Sequence, residues 1–306
     1  MKLNGIHHIT AITADAQRNI DFYAGVLGLR LVKKSVNQDE PSVYHLFYAD
    51  EQGSPGADMT FFEFPYAAPG RPGAGMVHRI SWRVPSTDAF AFWAERLADA
   101  GVRAEVTDDR LRFSDPEGLA HEFVVADVPD QPLIADHPEV PREVAIQGFH
   151  GVRAYALDPE RSRPFLEETL NFEPNGDGWE ARGATRGSLY AYDEPPAERG
   201  LQGAGTVHHV AWYSETEDHE PWRERVLAGG GRPTPVIDRF WFRSVYFREP
   251  SGVLFELATP DPGFAVDEDP EHLGEKLILP PFLEDKREQI EAILKPVVNP
   301  RQRARA

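Results

Sequence analysis

One short pattern, occurring four times, constrains this chain more than any other feature. MVHRISWRV at residues 76–84 returns as TVHHVAWYS at 206–214, and DPEGLAHEFVV at 115–125 returns as EPSGVLFELAT at 249–259. GIHHITAIT at 5–13 returns as GFHGVRAYA at 148–156. Self-similarity on this scale signals a repeated supersecondary unit. The chain therefore reads as two related halves of two units each. Every unit opens on an alternating strand, passes into a short amphipathic helix and closes with further short strands separated by turns such as SPG, DPEG and EPSG. The first helix, AQRNIDFYAGVLG, carries Ile20, Phe22, Tyr23, Val26 and Leu27 on one broad face and stops at Gly28. TDAFAFWAERLADAG, ERSRPFLEETLNF and EDHEPWRERVLAGGG take its place in the other units.

The expected architecture is α+β: four β-α-β-β-β units forming two open barrels, with a helical C-terminal tail. Units one and two occupy 1-127, and a proline- and acid-rich linker spans 128-147. Units three and four occupy 148-262, and the tail, with the helix FLEDKREQIEAIL, spans 263-306.

The formal charge of −18 makes nucleic acid an unsuitable partner, because its phosphates would be repelled. No apolar run is long enough to cross a bilayer, and no basic-then-apolar leader opens the chain, so a cytoplasmic location is the simplest expectation. The absence of cysteine removes disulfides, thiolate metal sites and cysteine nucleophiles together.

Chemistry enters when the units are laid against one another. His8 corresponds to Arg79, Gly151 and His209. Four residues after the turn glycines Gly118 and Gly252 stand Glu122 and Glu256, whereas the same count from Gly56 reaches Thr60. Only units one and four keep ligand types: His8, His209 and Glu256. Two imidazoles and a carboxylate form the facial triad suited to ferrous iron with open positions; Mn(II) is the substitute such a site would accept. One metal needs all three within bonding distance, so units one and four are expected to pair around it. Strand alternation puts neighbours on opposite faces, which sets His7 and His208 out of phase with the ligands. His7 recurs as His78, His150 and His208, even where the triad is lost, which suggests a structural part for it.

GIHHIT, GTVHHVAW and EPSGVLFEL resemble the strand signatures of the vicinal oxygen chelate (glyoxalase/bleomycin resistance/extradiol dioxygenase) superfamily, over essentially the whole chain. FYAGVLGLRLVKKSVNQDEPSVYHLFYAD, GSPGADMTFFEF and DRFWFRSVYFREPSGVLFELAT resemble its hydroquinone-type ring-cleaving dioxygenases. The resemblance implies Fe(II) on His8, His209 and Glu256, catalytic roles for Tyr246, His208 and Arg239, and substrate contacts from Thr10 and His7. Arg243 rivals Arg239, and Phe240, Trp241 and Phe242 are expected to wall the ring or join the core. It also implies an aromatic small-molecule substrate and O2, and leaves a homo-oligomer open. Two alternatives share the fold: a glyoxalase-like lyase or isomerase, which needs a fourth ligand where Thr60 stands, and a protein that binds an aromatic or an antibiotic.

Overall fold

The computed structural model describes residues 1–300; the end of the tail, 301–306, lies outside the described residues. Unit one supplies β1 (Ile6–Thr13), α1 (Ala16–Ile20), β2 (Arg30–Val36), β3 (Tyr44–Ala49) and β4 (Asp58–Glu63). Unit two supplies β5 (Val77–Arg83), α2 (Ala89–Asp99), β6 (Glu105–Val106), β7 (Arg110–Ser114) and β8 (Ala120–Val124). Unit three contributes β9 (Phe149–Tyr155), β10 (Glu173–Asn175), β11 (Gly178–Arg182) and β12 (Gly187–Asp193). Unit four contributes β13 (Val207–Tyr213), α3 (His219–Ala228), β14 (Ile237–Asp238), β15 (Arg243–Arg248) and β16 (Leu254–Ala258), and α4 (Arg287–Ile293) lies in the tail.

These strands form two eight-stranded sheets that interleave the halves. One sheet runs β14-β15-β16-β13-β1-β4-β3-β2 and so joins units one and four. The other runs β10-β11-β12-β9-β5-β8-β7-β6 and joins units two and three. In each, the two opening strands pair antiparallel at the centre, β1 with β13 and β5 with β9. This is the vicinal oxygen chelate architecture.

The central strands break simple alternation at one repeated place. Ile6 and Ile9 both enter the main core, although they are three residues apart, as do Val77 and Ile80, Phe149 and Val152, and Val207 and Val210. Each such pair encloses two residues that must leave the core face together. The backbone achieves this with a β-bulge. Pairing of β1 with β13 shifts register between Ile6 and His8 and again beside His208; pairing of β5 with β9 shifts beside His78 and beside His150. All four recurring histidines are thus the extra residue of a bulge. A bulge sets two residues against one and re-aims a side chain, so His7 and His208 are not out of phase with the residues that follow them.

Several helices also differ from the expected continuous pattern; in the tail, Pro281–Lys286 is 3₁₀ and only Arg287–Ile293 is α-helical. The first holds α-geometry only to Ile20 and then widens into a π-helical turn, Asp21–Val26, closed by Leu27 N–H donating to the Phe22 carbonyl at 2.9 Å. In unit three, a single 3₁₀ turn precedes a π-turn over Phe165–Thr169, again closed five residues back, Leu170 to Phe165 at 3.0 Å. Pro164, which has no N–H, stands at the start of that second turn. The tail runs beside β2, where Ile278 N–H donates to the Lys34 carbonyl, and it buries Leu283, Ile290 and Leu294 in the main core.

Candidate metal centre

The pseudo-twofold relation of β1 and β13 brings His8 and His209 together, because Thr10 pairs with His209 and His8 with Ala211. Strand β16 lies beside β13 and sets Glu256 across from Ala211. The same relation on the other side sets Thr60, on β4, across from Thr10. Thr60 is therefore the pseudo-symmetric mate of Glu256.

His8, His209 and Glu256 are buried, and one ligand atom from each lies within 4.8 Å of the others. His8 Nε2 and His209 Nε2 are 3.3 Å apart, and Glu256 Oε2 is 3.2 Å and 2.9 Å from them. Yet Oε2 meets neither ring in hydrogen-bond geometry and has no hydrogen-bond partner among the described residues. Three buried ligand atoms thus converge on a point with the carboxylate oxygen left unsatisfied, which is the arrangement a divalent cation resolves. The other carboxylate oxygen accepts from Ser244 Oγ at 2.5 Å. Burial raises the Glu256 pKa, but the His8 and His209 imidazoles outweigh it and hold the carboxyl well below its usual value.

The bulge histidines stand directly behind the ligands. His7 Nε2 is 3.0 Å from the Thr259 carbonyl, which can only accept, so Nε2 carries the proton. Its Nδ1 is then an acceptor, 2.9 Å from His8 Nδ1. His8 must donate there, which leaves the lone pair on His8 Nε2 for the convergence point. His208 Nδ1 stands 2.8 Å from His209 Nδ1 in the same way, although His208 is exposed. Burial pushes the His7 pKa down to about 3, so the ring is neutral at pH 7. Neither His7 nor His208 lines the adjoining cavity.

That cavity is lined by Thr10, His45, Phe47, Phe62, Trp241, Phe242 and Tyr246, together with Arg239 and the segment Asn37–Asp39. Arg239, rather than Arg243, is the arginine at the site; Arg243 is exposed on β15. Its guanidinium pairs with Asp39 at 2.9 Å and lies 5.6 Å over the Tyr246 ring. Tyr246 stands across from Glu256 in the β15–β16 ladder, its ring 5.6 Å from that of His209. Burial raises the Tyr246 pKa, so the hydroxyl keeps its proton at neutral pH. Trp241 and Phe242 are both buried and line the cavity as well, while Phe240 takes a positive φ of 69° between them and Arg239.

Several contributors escaped the sequence reading, Phe47, Phe62 and Asp39 of the cavity lining among them. His45 donates to or accepts from Thr60 Oγ1 at 2.9 Å, and the repeat alignment could not reveal it because no other unit has its counterpart at the cavity. Gln38 Nε2 donates to the Arg239 carbonyl at 2.8 Å, a contact between loops remote in sequence. Asp58, in register with His8, is wholly buried with neither oxygen partnered among the described residues, and burial pushes its pKa up to about 8.

The second sheet shows what the same frame becomes without ligands. Gly151 replaces His8, and a Cβ there would lie 2.4 Å from the Leu189 carbonyl oxygen. Glu122 keeps the carboxylate, but Ser81 Oγ donates to it at 2.6 Å, and Arg112 at 3.3 Å and Arg110 at 3.5 Å neutralise its charge.

A family model described as the glyoxalase/bleomycin resistance protein/dioxygenase superfamily matches residues 5–123 and 148–257. The chain is 41% identical to MhqA of Bacillus subtilis (strain 168), named as a candidate ring-cleaving dioxygenase, over 97% of this chain and 100% of that one. It is 35% identical to a chlorohydroquinone/hydroquinone 1,2-dioxygenase of Sphingobium indicum, over 94% and 95% of the two chains. A Bacillus subtilis crystal structure titled as a candidate dioxygenase superposes with a TM-score of 0.90 at 41% identity, covering 97% and 98%. Glyoxalase I from Zea mays shares the fold, with a TM-score of 0.57 at 17% identity over 84% and 92%.

Proposed function

From its membership of the glyoxalase/bleomycin resistance protein/dioxygenase superfamily, we propose that this chain is an Fe(II)-dependent, extradiol-type ring-cleaving dioxygenase acting on a hydroquinone- or catechol-type aromatic. The observation that carries the reading is the trio His8 Nε2, His209 Nε2 and Glu256 Oε2 converging with a threonine, Thr60, in the fourth position. A hydroxyl there leaves a side of the site open for substrate and dioxygen. A glyoxalase-like lyase would need a protein ligand in that place.

Iron(II) held by these three residues would supply the redox chemistry that lets dioxygen react with an aromatic ring. The chain's own residues do the rest. Phe47, Phe62, Trp241 and Phe242 give a ring an apolar lining that excludes water. Arg239 places a fixed positive charge where a phenolate oxygen would lie. Tyr246, held in its protonated form, donates a hydrogen bond or a proton into the same space. Thr10 offers a hydroxyl on the cavity face of β1. His7 and His208 act as positioning residues behind His8 and His209 rather than as substrate contacts.

The test is oxygen uptake by protein loaded anaerobically with Fe(II), and separately with Mn(II), then given hydroquinone, catechol and phenol. Uptake is expected with dihydroxylated rings. No uptake at full iron content contradicts the reading.

A further inference from the structure

A carboxylate of the tail reaches one wall of the cavity from behind. Trp241, buried and part of the lining, donates Nε1–H to Asp267 Oδ2 at 3.0 Å. The other oxygen of Asp267 accepts from Lys33 Nζ of β2 at 2.7 Å. The same ammonium lies 5.3 Å from the centre of the Trp241 ring. A second bond from the tail fixes the main chain, where Gly263 N–H donates to the Trp241 carbonyl at 2.9 Å. Segment 263–268 therefore holds Trp241 by its indole and by its backbone.

That hold falls on a strained turn. Phe240, a non-glycine residue with a φ of 69°, stands at its centre. Arg239 N–H donates to the Phe242 carbonyl and Trp241 N–H to the Arg239 carbonyl, both at 2.9 Å. A bulky residue in the left-handed region costs about 1–2 kcal/mol and persists only where its surroundings over-determine it. Arg239, Trp241 and Phe242, which flank it, all line the cavity. Whatever holds this turn therefore sets the shape of the site.

We propose that Asp267 is a positioning residue: its carboxylate fixes the Trp241 indole and so keeps the cavity in the shape that receives an aromatic ring. The inference rests on the reading of this cavity as the site of a ring substrate, and it gives the tail a part in that site. Glu268 provides the contrast. It shares the Lys33 ammonium with Asp267 but makes no hydrogen bond to a cavity residue among the described residues.

Calorimetric titration of anaerobic, iron-loaded protein with hydroquinone, beside urea unfolding, tests this without turnover. Asp267→Asn is expected to weaken ring binding about five- to tenfold, with iron affinity within about twofold of wild type. Glu268→Gln also takes a charge from Lys33, so it should lower the unfolding midpoint in the same way, yet bind hydroquinone within about twofold of wild type. Trp241→Phe has no indole N–H and should bind the ring more weakly. Adding Asp267→Asn to it should cost less than about twofold further, because the bond through which Asp267 acts is already gone. Equal losses of ring binding in Asp267→Asn and Glu268→Gln, or additive losses in the double variant, overturn the positioning role and leave the dioxygenase reading standing. Wild type that binds hydroquinone but takes up no oxygen overturns that reading instead and leaves this inference standing.

Discussion

Replacing His7 with phenylalanine isolates what the bulge contributes to the site. Phenylalanine keeps the ring and its packing, 5.5 Å from Phe242 and 6.1 Å from Tyr213 between centroids. It removes the acceptor for His8 Nδ1–H and the donor to the Thr259 carbonyl. A buried donor left unpaired costs about 1–3 kcal/mol. His8 would recover some of that by moving its proton to Nε2, the atom that must be bare to bind a cation. The loss therefore falls on metal affinity, about 10- to 100-fold, the range usual for such outer partners. That corresponds to about 1.4–2.8 kcal/mol, in agreement with the hydrogen-bond figure. His208→Phe should cost less than tenfold, because His208 is exposed and water can take its place. The assay is anaerobic Fe(II) or Co(II) titration against a competing chelator, with circular dichroism to check folding. His7→Asn, whose carbonyl can stand near Nδ1, should regain part of the affinity. Metal binding by His7→Phe within twofold of wild type, or a larger loss in His208→Phe, refutes the tautomer argument.

Other expectations follow from single features. Thr60→Glu should close the open side, retaining metal but losing oxygen uptake by at least 100-fold; activity near wild type would mean the fourth position does not matter. Buried Lys33 meets the Phe264 carbonyl and the carboxylates of Asp267 and Glu268. Lys33→Met should cost about 3–5 kcal/mol in urea unfolding and speed proteolysis within 263–268, because two carboxylates lose their cation. His121 accepts from Trp82 Nε1 through Nδ1, and burial pushes its pKa from 6.5 down to about 3. The unfolded chain takes up the proton first, so this contribution is complete above pH 6.5 and is lost as pH falls toward 3, about 3 kcal/mol by pH 4.5. Melting curves across that range should be less steep in His121→Gln than in wild type; equal slopes would contradict the assignment.

How much was legible in the sequence depends on which physical signal each feature leaves. The four units are visible because each repeats its own turn and strand chemistry, and His8, His209 and Glu256 can be singled out because misfit residues (Arg79, Gly151, Thr60) stand at their counterparts. The bulge was equally written there, as apolar residues three apart around every recurring histidine. Strict period-two alternation hid it, since one inserted residue reverses the facing of everything on one side. The π-turns left no comparable mark, because a 3.6-residue pattern and a widened turn bury nearly the same side chains. His45, Gln38 and Asp39 belong to the site only through the curl of β3 and the meeting of two loops, and no local spacing encodes such contacts.

The central claim is that the open trio supports insertion of dioxygen into a hydroxylated ring. Mass spectrometry of the product formed under oxygen-18 gas from iron-loaded protein and hydroquinone tests it most directly. The account predicts a ring-opened product carrying both labelled atoms. An unlabelled product, or a label confined to water, contradicts it.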